Sequence, residues 1–215
     1  MFVYPYRQGS KSAIALAQGF EGKVIKLDNS KFKPSDKKVI VNWGSTADNP
    51  AVFGGGAKVL NPPNLIRQAS NKKIFFELAK AAGEEGPCVP NFTCSKAEAA
   101  TWLTADKPKK LFARTVLAGH SGEGIVKINT LEELNAIAEG TLLVEYVPKK
   151  REFRLHVDKL EGVFCVQEKL KRKELPNEEV DYQIRNLANG FIFAKQDIEV
   201  PDGCKVEAVK ALKVT

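Results

Sequence analysis

The stretch Leu111-Phe-Ala-Arg-Thr-Val-Leu-Ala-Gly-His-Ser-Gly-Glu-Gly-Ile-Val126 constrains the chain more than any other. It reads as a strand bearing an inward cation, Arg114, then a loop with Gly119, Ser121, Gly122 and Gly124, then a second strand. Glycines let backbone N–H groups turn toward one centre and approach an anion closely. The P-loop and the dinucleotide fingerprint both run from a strand into a helix, whose amino terminus holds the phosphate. A loop that runs from strand to strand fits neither. Taken alone, it also suits a plain hairpin turn.

The first sixty residues add a second constraint. Met1-Phe-Val-Tyr, Lys23-Val-Ile-Lys-Leu and Lys38-Val-Ile-Val-Asn-Trp have strand length, and Ser10 opens a helix over 13–18 that closes at Gly19. This alternation implies a small α/β lobe on a parallel sheet. Ligands gather where the strands of such sheets end, so residues 42–46 are either a site-facing loop or a strand-end turn. Residues 49–69, with Pro50, Pro62, Pro63 and Gly54-Gly-Gly, read as a connector. Ser70 is the expected cap of a helix in which Ile74, Phe75, Leu78, Ala79 and Ala82 recur at helical spacing, ending at Gly83. Ser95-Lys-Ala-Glu98 and Thr130-Leu-Glu-Glu133 have the spacing of capping boxes, the second helix closing at Gly140. Strands are expected over 110–116, 124–128, 142–147, 152–157, 162–170 and 191–194, and a final helix carries Val206, Val209 and Leu212.

Composition narrows the class. A chain of 215 residues suits one domain or two small lobes, and 43% hydrophobic with 27% charged residues excludes a wholly disordered chain. No apolar run approaches the roughly 20 residues of a membrane span, so no membrane partner is expected. Residues 1–10 lack the basic and apolar segments of a secretory signal. Cys88, Cys94, Cys165 and Cys204 form no C-x-x-C, and only His120 and His156 accompany them. The expectation is no metal ligand set, and four reduced thiols of a cytoplasmic protein, two or more in its core. The net charge of +7 favours acidic partners without choosing among nucleotides, nucleic acid and acidic peptides. Lys169-Leu-Lys-Arg-Lys173 reads as a solvated strand end. No aromatic residues interleave with it and no RNA-binding or helix-turn-helix pattern occurs, so nucleic acid is not the expected partner.

A second informative stretch is Leu142-Leu-Val-Glu-Tyr-Val-Pro148, followed by Arg151-Glu-Phe-Arg-Leu-His-Val157. A strand leaving through Glu-Tyr-Val-Pro can present backbone groups to a flat heterocycle. Glu152, Arg154 and His156 share one sheet face by the two-residue period, and either pair with each other or line a cleft.

In their order, these motifs resemble the ATP-grasp superfamily, and more closely its carboxylate–amine ligase branch, including the glutamate-adding ligases. The resemblance covers residues 61–215. Asn71-Lys72 matches the family's lysine before the lid. Ala113-Arg114 stands where the family has a strand lysine touching the α/β phosphates; arginine keeps the charge and changes the geometry. Gly119-His120-Ser121-Gly122-Glu123-Gly124 is similar to the mobile loop over the phosphates, and Val144-Glu145-Tyr146-Val147 to the hinge that holds adenine and ribose. Glu152-Phe153-Arg154 resembles the acidic-x-Arg pair after the hinge. Lys169 or Lys171 sits near the arginine that faces the acyl phosphate, and Arg185-Asn186 with Gly190 is similar to the family's Arg-Asn segment.

The resemblance implies an α/β (α+β) ATP-grasp fold: an N-terminal parallel lobe over 1–60, a lid subdomain with its leading helix over 61–147, and a C-terminal subdomain over 148–215, enclosing a nucleotide cleft. It implies ATP and Mg²⁺ as cofactors, an amino-acid or peptide carboxylate and an amine as partners, and an amide made through an acyl phosphate. Arg154, Lys169, Arg185 and Asn186 would be catalytic. Lys72, Arg114, Gly119, His120, Ser121, Gly122, Gly124, Glu145, Tyr146, Val147 and Glu152 would hold the nucleotide. The family's metal-binding strand pair, with Asp and then Glu-x-Asn, has no counterpart before Thr215. The expectation is therefore an incomplete C-terminal part, supplied by further residues, a completing chain or a homodimer. The alternatives are a non-catalytic nucleotide- or nucleic-acid-binding protein that keeps the fold, and a plain α/β domain with a glycine hairpin.

Overall fold

The computed structural model describes residues 1–215, which divide into two compact units, Met1–Ser70 and Asn71–Thr215. The first unit contains β1 (Phe2–Pro5), α1 (Lys11–Gly19), β2 (Lys23–Val24), β3 (Val39–Trp43), α2 (Pro50–Phe53), β4 (Lys58–Leu60) and α3 (Pro63–Ser70). Its sheet has the order β2-β1-β3-β4 and is parallel throughout, with Phe2 level with Lys23 and Ile40. Side chains alternate across it. Val3 packs with Ala13 and Ala17 of α1, while Tyr4 turns to the other face with Ile25, Ile40 and Val52.

The second unit contains α4 (Lys72–Ala81), β5 (Phe92–Thr93), α5 (Lys96–Leu103), β6 (Leu111–Arg114), β7 (Ile125–Ile128), α6 (Leu131–Ala136), β8 (Leu142–Glu145), β9 (Phe153–Asp158), β10 (Gly162–Lys171), β11 (Phe191–Ala194) and α7 (Asp202–Lys213). Two antiparallel sheets result, β5-β8-β6-β7 and β11-β10-β9. One face of the four-stranded sheet buries Leu111, Ala113, Ile128 and Leu143 against Ala99, Leu103 and Leu134 of α5 and α6. Its other face sets Leu142 and Val144 against Phe76 of α4. Helix α7 packs on β9 and β10.

Several local expectations are corrected. Residues 49–69 are not a bare connector: they form α2, β4 and α3, with Pro50 and Pro63 each at the start of a helix, where a missing N–H costs no bond. Asn71, not Ser70, caps α4, its side-chain oxygen accepting from the N–H groups of Lys73 and Ile74. The strand expected from Lys23 keeps only two residues, and β8 stops at Glu145. Helix α6 ends at Ala136 because Ile137 turns extended, well before Gly140. Thr130 and Glu133 complete their capping box, whereas Ser95 makes half of one: the Glu98 carboxylate bonds the Thr93 hydroxyl instead. No cysteine is fully buried; all four are free, Cys88 exposed and the others half-buried. The Lys169–Lys173 run is not simply solvated, since Lys169, Lys171 and Arg172 are half-buried. Residues 42–46 are a strand-end turn: buried Asn42 closes it by donating to the Ser45 carbonyl (2.9 Å) and accepting the Ser45 N–H (3.1 Å).

Candidate functional site

Strand β6 carries Arg114 to its last position, on the α4 side of the sheet. Helix α4 begins with Lys72, whose N–H is held by the Leu117 carbonyl (3.0 Å) and whose Nζ donates to the Gly119 carbonyl (3.2 Å). The two cations lie close enough for their charges to repel. Burial lowers the pKa of both, and the nearby Arg114 charge lowers Lys72 further. Arg114 Nε is buried and has no hydrogen-bond partner. An arrangement that strains both charges is relieved by an anion. A groove of about 460 Å³, lined by Lys73, Arg114, Thr115, Leu117 and residues 136–142, opens beside Arg114.

The loop above these cations joins β6 to β7 as a hairpin. Thr115 N–H bonds the Gly124 carbonyl (2.8 Å) and Glu123 N–H the His120 carbonyl (3.0 Å). Ser121, Gly122 and Gly124 all have left-handed backbone (φ 54°, 85° and 68°), and their N–H groups take no partner in the chain. Successive N–H groups of this kind form a concavity suited to an anion. A Cβ on Gly122 would meet Ile184 at 2.8 Å and the Asn186 amide at 3.0 Å, so the loop lies tightly against the 181–186 segment. Asn186 Nδ2 donates to the Ser121 carbonyl (2.6 Å), and Lys127 of β7 pairs with Asp181 (2.7 Å). Burial alone would raise the Asp181 pKa, but Lys127 and the N–H groups of Ile184 and Gln183 outweigh it and the value falls.

The polar face of the three-stranded sheet continues this region. Glu152 takes Lys169 on one carboxylate oxygen and has Lys149 3.3 Å from the other. Lys169 also donates to the Arg185 carbonyl (2.7 Å). Arg185 Nη1, Nη2 and Nε donate to the carbonyls of Lys150, Lys149 and Tyr182. Its guanidinium therefore clamps the segment leading into β9. Arg154 makes no ion pair; it lies exposed over the Phe193 ring, 3.8 Å from the centroid. His156 is exposed beside Gln167.

At the end of β8, Tyr146 stacks edge-on with Phe112 (5.2 Å between centroids), and Lys149 approaches its ring at 6.0 Å. Glu145 is held by Lys109 (2.8 Å) and Asn91 (2.6 Å); these bonds, Lys109 first, lower its carboxyl pKa against the opposing effect of burial.

Lys72, Arg114 and the glycine loop are thus joined through Asn186 to Arg185, Lys169, Glu152 and, through Lys149, to Tyr146. Glu145 points its carboxylate away into the Lys109–Asn91 pair, while His120 and Val147 are exposed and engage none of the others. Sequence reasoning missed Lys127, Lys149 and Asp181, which carry no motif; only the fold brings them to the site. No group of three or more His, Cys, Asp or Glu side chains is placed to hold a metal ion.

No protein-family model matches the chain, and no curated protein does. Solved structures do match. The ATP-grasp ligase PsnB, complexed with minimal precursor, is 15% identical and superimposes over 99% of this chain and 81% of its own with a TM-score of 0.62. D-alanine–D-alanine ligase from Bacillus anthracis is 13% identical over 99% of this chain and 77% of its own, with a TM-score of 0.55. D-alanyl-alanine synthetase A from Vibrio cholerae is 15% identical over 83% and 69%, with a TM-score of 0.51. The chain has the ATP-grasp fold of these structures.

Proposed function

We propose that the second unit binds ATP, with the phosphates over Lys72, Arg114 and the 119–124 loop, and that the protein is an ATP-dependent carboxylate–amine ligase acting on an amino-acid or peptide carboxylate. The carrying observation is the pair of desolvated, mutually repelling cations with an orphaned Arg114 Nε beneath unengaged loop N–H groups. Phosphoryl transfer depends on such placed positive charge. Tyr146 and Phe112 offer aromatic surface for adenine. Arg154, a cation on the polar sheet face that no carboxylate neutralises, would face the substrate carboxylate. Lys169, Arg185 and Asn186 would hold Glu152, the β9 approach and the glycine loop in place. The neighbouring PsnB structure complexed with minimal precursor, Mg and ADP lends support to the nucleotide part of this reading.

The residues present do not by themselves fit Mg²⁺. Glu145, Glu152 and Asp181 are each engaged by a lysine, and no acidic cluster is available, so no step is assigned to the metal. The engagement of all three acids by lysines supports a second reading, nucleotide binding without turnover. Differential scanning fluorimetry with ATP tests binding, and incubation with ATP, candidate carboxylates and hydroxylamine tests ligation, because hydroxylamine intercepts an acyl phosphate as a hydroxamate. A raised melting temperature together with hydroxamate establishes the ligase. A raised melting temperature without ADP release leaves the binding protein. No shift in millimolar ATP removes both.

A further inference from the structure

Charge is divided unevenly between the two units. Residues 1–70 carry ten Lys and Arg against four Asp and Glu, a net +6, whereas residues 71–215 carry 23 against 22. The first unit does not neutralise its excess internally: its one ion pair is Arg67–Asp48. Lys23, Lys26, Lys31, Lys33, Lys37 and Lys58 are all exposed, and none has a carboxylate within ion-pairing distance.

The parallel register gathers these lysines. Lys23 opens β2, Lys58 opens β4, and Lys37 lies just before β3, so all three lie at the amino-terminal edge of the sheet. At about 4.8 Å between strands, the row from β2 to β4 extends roughly 14 Å. Pro34 and Asp36 pack against Gly55 and Gly56, which have no Cβ to obstruct them, and this brings Lys33 and Lys37 toward the start of β4. Lys38 plays a different part. Its ammonium lies over the rings of Phe2 (5.8 Å) and Phe32 (4.9 Å) and donates to the Lys33 carbonyl, which anchors the lysine-bearing segment to the core.

A second observation concerns the flank of the sheet. Strand β2 is an edge strand, and Lys23 and Ile25 donate their N–H groups inward, to Met1 and Val3. The intervening Val24 N–H and C=O therefore point outward, and its side chain is exposed. An outward main-chain edge flanked by Lys23 and Lys26, with the other lysines set along the adjoining strand starts, fits the geometry of strand addition by an extended peptide with acidic side chains.

We propose that the β2 edge and its lysines form a docking surface for an acidic, extended segment of polypeptide. A nucleic acid fits less well. Phe2 and Phe32 stack edge-on on each other (4.9 Å) beneath Lys38 and offer no platform for a base, and none of the six cations is an arginine with its phosphate-matching fork. The proposal is independent of nucleotide binding, which concerns the other unit.

Fluorescence anisotropy with a labelled twelve-residue peptide of alternating Glu and Thr tests it on the full chain. Affinity should fall by about tenfold or more between roughly 50 and 200 mM NaCl. Neutralising all six lysines to Gln should weaken binding by at least tenfold, and the loop triple variant Lys31→Gln/Lys33→Gln/Lys37→Gln by a smaller factor should the sextuple variant fail to fold. Neutralising Lys107, Lys159, Lys173 and Lys195 in the second unit should leave binding unchanged. Val24→Pro, which deletes the outward N–H, should weaken peptide binding while ATP still raises the melting temperature as in the parent. Equal peptide affinity in the lysine variants, insensitivity to Val24→Pro, or tighter binding of duplex DNA or phosphatidylserine vesicles than of the peptide would each overturn the proposal.

Discussion

Two sets of cations in the second unit are treated in opposite ways. Around β9 and β10 the acids Glu152 and Glu168 are paired: Arg151 makes a bidentate pair with Glu168, at 2.8 and 2.7 Å, and Lys169 and Lys149 share Glu152. At the end of β6, the Arg114 charge repels that of Lys72. A scaffold gains from the first arrangement and is strained by the second, and the proposed phosphate site falls at the strained one. The paired set holds strands in register, and the repelling set is the one proposed to take the nucleotide phosphates.

That contrast breaks most readily at Arg114. With ATP at a hundred times its dissociation constant, binding should stabilise the parent by about 2.7 kcal/mol. In Arg114→Ala this gain should vanish in thermal melts, while the ligand-free protein melts at or above the parent temperature, because a repulsion has been removed. A drop in ligand-free stability would place Arg114 among the scaffold charges. Glu168→Ala should do the reverse. Glu168 is only 7% exposed, and its loss should lower stability by about 1–2 kcal/mol, the modest size reflecting the half-exposed Arg151 side chain; the ATP response should survive.

The response to pH should separate the two sets by sign. Glu145, Glu168 and Asp181 have lowered folded-state pKa values, so their stabilisation is complete above the ordinary carboxylate range and is lost as the pH falls through those lowered values. Melting temperature should therefore drop below about pH 4, and less steeply in Glu168→Gln. Lys72 behaves oppositely: its folded pKa lies below 10.5, so its strain is present when protonated and is relieved as the pH rises toward that value. The smallest effect is expected from Asn186→Ala, which removes the bond to Ser121. Hydrogen exchange should speed up across residues 119–124, with a stability loss of about 0.5–1 kcal/mol. Unchanged exchange would show that Ile184 packing alone holds the loop.

Local chemistry made much of this legible in advance. Thr130-Leu-Glu-Glu133 carries its own cap, the glycine hairpin announces itself between β6 and β7, and the alternation of the first sixty residues yields a parallel sheet. The two-residue strands β2 and β5 were not legible at their true length, because neither forms without neighbours supplied by distant sequence. The partners of Glu145 lie 36 and 54 residues away, and Arg151 meets Glu168 across a β-hairpin. Arg185 and Asn186 illustrate the limit of motif reading: their order in the chain suggested chemistry, and their side-chain bonds end on backbone groups.

Helix α7 is tied to residues far earlier in the chain. Glu207 accepts the N–H of Cys88, and Lys210 donates to the Glu84 carbonyl. The second unit thus closes on itself across more than a hundred residues, whereas the first unit closes within its own seventy. During synthesis the first unit can complete its core while the second is still being made. The three-stranded sheet keeps one face uncovered until residues 202–213 have left the ribosome. That interval is when the second unit most needs chaperone protection, and a ribosome stalled before codon 202 should hold a folded first unit on a protease-sensitive second.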